Sequence, residues 1–174
     1  MKKFLAAALL AVLTLSLSGC GNNDAEASKA ISDQLIKQQK KSGSASQFFS
    51  LDRKDADCIG DGFVDKIGTE NLQKYGVITK DNKAKDGVNN VKMSAKDAKS
   101  ATSTLFDCTD VEKMMRAAIN KAGNIPSSMQ SCVNKVLSED NLRPLFTGVF
   151  QGKSSEAQQQ LAEPLQKCAT QSAG

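Results

Sequence analysis

The chain has 174 residues, 24% of them charged and 40% hydrophobic, with five cysteines, one tyrosine, no tryptophan and no histidine. Without histidine there is no Ser-His-Asp or Cys-His nucleophile, no His-ligated zinc and no side chain whose unperturbed pKa lies near neutrality. The length suits one domain, and aromatic residues at 5% are too sparse for extensive stacking on bases or sugars.

Residues 1–20 read MKKFLAAALLAVLTLSLSGC. Lys2 and Lys3 form a short positive segment, and Phe4 to Leu15 supply an apolar stretch of signal-peptide length, too short for a comfortable permanent span. Leu17-Ser18-Gly19-Cys20 ends it on small residues and a cysteine. This motif resembles the lipobox of bacterial lipoproteins. The resemblance implies cleavage after residue 19 and diacylglyceryl attachment to Cys20, placing the protein on the extracytoplasmic face of a bacterial cell membrane. Two or more acyl chains, at about 0.8 kcal/mol per buried CH₂, would hold it there stably.

The 174 residues less a 19-residue leader leave 155, and the loss of two lysines leaves 21 basic against 19 acidic residues. A basic pI near 8.8 is therefore partly a property of the leader and gives no case for nucleic acid. Leu, Ile, Val and Phe make up about 19% of the remainder, a lean core for a folded domain.

Beyond Cys20, residues 21–27 are polar and small and read as a tether. Ser28 to Lys41 carries Ile31, Leu35 and Ile36 and ends on two lysines, as a helix would. Ser42-Gly-Ser-Ala-Ser46 breaks it, so 20–46 forms the lipidated cysteine, tether and first helix, and 47–174 the helical domain. Past Phe48, Phe49 and Leu51, Asp52 is placed to cap a helix to Ile67 with Ala56, Ile59, Phe63 and Ile67 on one face. Gly60 and Gly62 weaken that helix by about 1 kcal/mol each, or let another helix approach. Thr69 then caps a short helix closed by Gly76.

Thr109-Asp-Val-Glu112 reads as a capping box, followed by Val111, Met114, Met115, Ala118 and Ile119 on one helical face. Gly123 and Pro126 end that helix. Ser127 starts the next, with Met129, Cys132, Val133, Val136 and Leu137 in the same pattern. Leu142, Leu145, Phe146, Val149 and Phe150 repeat it, with Pro144 expected near a helix start. Ser155 opens the last helix, which Pro164 should bend. No strand stands out, and several helices with inward apolar stripes predict a compact all-α bundle.

Cys58, Cys108, Cys132 and Cys168 remain after lipidation. Outside the membrane an even set reads as two disulfides, and no closely spaced pair supports a four-cysteine zinc site. Three connectivities are open. An internal repeat favours one of them. Val64-Asp-Lys-Ile67, Glu70-Asn-Leu72 and Gly76-Val-Ile78 match Val133-Asn-Lys-Val136, Asp140-Asn-Leu142 and Gly148-Val-Phe150. Ser94 and Ser154 each lie fourteen residues before a cysteine, and Leu105 and Leu165 three before it. The first copy carries a polar insertion from Thr79 to Met93, and Cys132 aligns with Phe63 rather than Cys58. Duplicated units at 52–108 and 127–170 would each hold one clip, Cys58–Cys108 and Cys132–Cys168, stabilising by roughly 3 to 4 kcal/mol apiece.

The run Ala56-Asp-Cys58-Ile-Gly-Asp-Gly-Phe63-Val-Asp-Lys-Ile-Gly68-Thr-Glu-Asn-Leu72-Gln-Lys-Tyr75-Gly-Val-Ile resembles small lipoproteins and secreted proteins of actinobacteria over about 45–170. That resemblance implies export and a cysteine-stabilised helical domain, and it brings no catalytic residues.

Asp52, Asp55, Asp57, Asp61 and Asp65 invite a calcium reading, but an EF-hand register starting at Asp55 meets Ile59 and Lys66 where oxygens are needed. No aromatic-lined carboxylate pair and no strained nucleophile turn frames an enzyme. The sequence therefore predicts no catalytic residue, metal or cofactor. It points to a membrane-anchored binding or interaction module whose partner is an envelope protein or polymer. The loop from Thr79 to Lys92, rich in lysine, aspartate and asparagine, offers one surface for such a partner. The alternative is a carrier of an apolar ligand between the two units, walled by Met114, Met115, Phe146 and Phe150.

Overall fold

The computed structural model describes residues 21–41, 51–85, 91–123 and 125–171. The leader, Cys20, the break at 42–46, Phe48, Phe49 and residues 86–90 of the polar loop lie outside the described residues. Eight helices are present there: α1 (Gly21–Lys41), α2 (Arg53–Ile67), α3 (Thr69–Lys74), α4 (Ala95–Cys108), α5 (Val111–Ala122), α6 (Ser127–Val136), α7 (Glu139–Phe150) and α8 (Ser154–Gln171). Among the described residues the only extended pairing is an isolated bridge between Ile78 and Ala84. The all-α class is as expected.

Two cores organise the helices. The first gathers Ile31, Ile59, Phe63, Ile67, Leu72, Val77, Ile78, Val91 and Met93 with small residues of α1 and α4. In the second, Val111, Val133, Leu137, Leu142 and Cys168 are buried. The glycines of α2 explain the tightness of the first. A Cβ on Gly60 would stand 2.5 Å from the Ser28 carbonyl oxygen, and one on Gly62 2.5 Å from Thr104 Cγ2. Both distances are too short for real atoms, so α2 is wedged between α1 and α4 where only glycine fits. Ser32 Oγ donates to the Ala56 carbonyl at 3.0 Å across the α1–α2 contact.

Ion pairs line the edges of this wedge. Asp33 pairs with Lys29 and Arg53, which hold its carboxyl below the ordinary range. Lys66 reaches Asp107 at 2.9 Å between α2 and α4, with the same effect on that carboxyl.

The repeat read from the sequence has a structural counterpart. In both units a helix, a second helix and a serine-led third helix follow in order, as α2–α3–α4 and α6–α7–α8. Asn71 Nδ2 donates to the Ile67 carbonyl at 3.0 Å, and Asn141 Nδ2 to the Lys135 carbonyl at 2.9 Å, so each asparagine ties down the end of the helix before it. Leu72 and Leu142 are both fully buried. A disulfide joins the first and third helices of each unit, Cys58 to Cys108 and Cys132 to Cys168, with Cα–Cα separations of 5.6 Å in both.

Several local expectations shift. α1 begins at Gly21, so 21–27 is helix rather than tether, with Ala27 fully buried. The cap of α5 is Asp110, which accepts from Lys113 N; Thr109 instead closes α4 by donating to the Leu105 carbonyl. Glu112 pairs with Arg116 and accepts from Glu139 N rather than completing a capping box. Pro144 lies inside α7, which starts five residues earlier, and α8 starts at Ser154. The helix α4 follows from Ser94, whose side chain accepts from Asp97 N.

Candidate functional site

The most apolar concavity opens within the first core. It encloses about 200 Å³ and is walled by α1, α2, the segments around Val77 and Val91, the end of α4 and the end of α7. Along α1, Ile31, Gln34, Leu35 and Gln38 recur at three and four residues and so face it together. From α2 come Ile59 and Phe63, also one turn apart. Gly60 sets how closely those two helices approach and hence the width of the cleft.

The far wall is built by long-range contacts. Gly76, at φ +74°, turns the chain after α3 so that Val77 points inward. Thr79 N donates to the Lys83 carbonyl at 2.8 Å and Lys85 N to the Val77 carbonyl at 3.1 Å, closing a tight turn that presents Ala84. Gln73 Nε2 donates to Asn82 Oδ1 at 3.0 Å, pinning that turn to α3. Met93 N donates to the Phe150 carbonyl at 2.8 Å, and Phe150 meets Phe63 edge-on at 6.1 Å. Leu51 is bracketed by Gln39, whose amide donates to its carbonyl and accepts from its N–H.

Chemically this is a hydrocarbon-lined cleft. Its polar side chains are Gln34, Gln38 and Lys85, two half-buried amides and one exposed ammonium. Among the described residues no carboxylate, thiol or hydroxyl side chain lines it. It can exclude water from an apolar group and offer amide or ammonium hydrogen bonds to a polar end.

The residues singled out by sequence distribute as follows. Phe150 lines the cleft, whereas Met115 and Phe146 pack onto the second core and Met114 is half-buried on α5. The apolar space lies in the first core, and Phe150 of the second unit closes one of its walls. Among the aspartates, Asp52 caps α2, Asp57 pairs with Arg53 and Asp61 accepts from Ser28. Among the described residues no group of three or more acidic or cysteine side chains converges as a ligand set. Within the polar insertion, 79–85 form the pinned turn described above, and Val91 and Met93 line the cleft.

Helical periodicity alone turns Ile31, Leu35, Ile59 and Phe63 inward. One signal was legible: Gln34 and Gln38 sit on the same stripe of α1 as Ile31 and Leu35, polar residues on a face otherwise meant for the core. No described helix is long and apolar enough to cross a membrane. No protein-family model, curated protein or solved structure matches this chain.

Proposed function

We propose that the protein is a membrane-anchored binding module of a bacterial envelope and that it holds an apolar group in the cleft of its first core. The observation that carries this reading is the cleft itself: about 200 Å³ walled almost entirely by hydrocarbon. Close-packed cores rarely leave voids larger than a water. An apolar cavity of roughly 150 Å³ is enough to admit benzene. The occupant is therefore a single ring, a short branched alkyl group or the end of an acyl chain, with a whole lipid too large.

The sequence supports the anchor through its lipobox-like Leu17-Ser18-Gly19-Cys20. With α1 starting at Gly21, no linker separates that cysteine from the domain. At about 1.5 Å per residue, the cleft residues Ile31 to Gln38 lie roughly 15 to 26 Å along α1 from its start. A bound acyl end would thus stay within reach of the bilayer that supplied it.

Titrating the purified protein with octanol, followed by NMR, tests the binding. Saturable shifts are expected at Leu35, Phe63 and Met93, and Leu35→Trp, which fills the cleft, should abolish them while the remaining spectrum stays folded. Shifts that never saturate, or survive Leu35→Trp, would sink the proposal. For the anchor, Cys20→Ala should move the protein from the membrane fraction to the soluble one.

A further inference from the structure

We propose that a second cleft, where α4 of the first unit meets α7 and α8 of the second, binds a phosphate-bearing ligand. It encloses about 560 Å³, within the range of small-molecule sites. Among the described residues Lys99, Arg143 and Lys153 line it with one carboxylate, Glu156; counting Glu139, which pairs with Arg143, three cations against two anions leave a formal +1. A phosphate ester carries about −1.5 to −2 near neutral pH. The Lys92 side chain crosses Gly152, the residue before Lys153: a Cβ there would stand 2.6 Å from Lys92 Cγ.

Phe106, the ring beneath Arg143, also borders a neighbouring cleft lined by Asp55, Asp107, Asp110, Glu112 and Glu139, of which Asp107, Glu112 and Glu139 are paired with Lys66, Arg116 and Arg143.

The cationic cleft is also preorganised. Arg143 Nε donates to Glu139 Oε1 at 2.6 Å and its guanidinium lies 4.6 Å over the Phe106 ring, which fixes the plane of the fork. A planar guanidinium held this way suits phosphate oxygens better than a free lysine does. Thr102 and Thr147, with hydroxyl oxygens 3.0 Å apart, join α4 to α7 beneath it. Glu156 and Ala157 place the first turn of α8 in the wall, and its positive dipole end adds to the field. Gln151 and Gln160 supply amides for hydroxyl groups flanking the phosphate.

The test is a titration of the ¹⁵N-labelled full chain with glycerol 1-phosphate and, separately, inorganic phosphate at constant ionic strength. Saturable shifts are expected at Lys99, Gln151, Lys153 and Gln160. The double variant Lys99→Glu with Lys153→Glu should bind at least tenfold more weakly while the amides of the apolar cleft keep their positions. Lys54→Glu, an exposed change on α2, should leave the affinity unaltered. Tighter binding of glycerol 1-phosphate supports an esterified phosphate as the ligand; equal affinity supports the free ion. Shifts that do not saturate with either probe, or equal weakening by Lys54→Glu, overturn the proposal.

Discussion

Leu72 and Leu142 hold corresponding places in the two units and both are fully buried, yet their surroundings differ. Around Leu72 stand Ile67, Val77, Ile78 and Met93, themselves buried, in a core that α1 covers from outside the repeat. Around Leu142 most neighbours are half-exposed, among them Met115, Ile119, Val136, Phe146 and Leu161. The disulfides invert this order. Cys58 is exposed at the edge of the rich core, whereas Cys168 is 1% exposed and belongs to the poor one. The comparison teaches that one helical plan can rest mainly on packing in one copy and mainly on its covalent clip in the other. An added helix and the 77–93 segment give the first unit enough apolar surface to leave a cleft.

Deleting the clips separates the units most sharply. Loop closures over 50 and 36 residues are each worth about 4 kcal/mol in the chain-entropy model, nearly the same for both. Cys132→Ala with Cys168→Ala also removes a buried core member, so it should cost about 1 kcal/mol more than Cys58→Ala with Cys108→Ala. Urea denaturation gives the totals, and hydrogen exchange should show α6 and α8 losing protection while α2 and α4 keep theirs. Equal losses spread over all helices would break the comparison.

Truncating the paired leucines reverses the ranking. Leu72→Ala should cost about 4 kcal/mol, because its closely packed neighbours cannot collapse into the space. Leu142→Ala should cost about 1 kcal/mol less, since half-exposed neighbours can relax or admit water. Thermal unfolding of the two variants measures the difference, and a costlier Leu142→Ala would mean that exposure misjudges the second core.

Acid gives the smallest effect, and it should fall on the first unit. Lys29 and Arg53 lower the pKa of Asp33, and Lys66 lowers that of Asp107, from an ordinary 3.8. A lowered folded-state pKa means the carboxylates contribute in full above that value. Their contribution is lost as pH falls below it through the depressed folded values. All three pairs are exposed, so the loss is small and added salt should shrink it. Asp33→Asn with Asp107→Asn should flatten the stability–pH curve below pH 4; an unchanged curve would remove these pairs from the account.

Much of the helical plan was legible because its signals are local. The row of Val133, Val136 and Leu137 needs only helical periodicity, and Asp52 needs only its distance from Asp55 N to become a cap. The repeat was legible too, since Asn71 and Asn141 perform the same short-range task. The misreadings arose where a choice among near-equivalent neighbours depends on distant contacts. Thr109 and Asp110 both suit a cap, and the end of α4 took the threonine. Residues 21–27 look like a tether by composition, but Ala27 and Ser28 lie against α2, and that burial makes them helix.

By itself the sequence determined the all-α class and, through an internal match, the pairing of Cys58 with Cys108 and Cys132 with Cys168. These rest on periodicity and spacing, which one chain carries without reference to its fold. Tertiary structure alone decided where space remains. The apolar cleft lies between Ile31, Phe63, Met93 and Phe150, residues as much as 119 positions apart in number. The cationic cleft gathers Lys99, Arg143 and Lys153 from three helical neighbourhoods. A cavity is the shape left over when helices meet, set here by Gly60 and Gly62, and no local pattern in the chain encodes it.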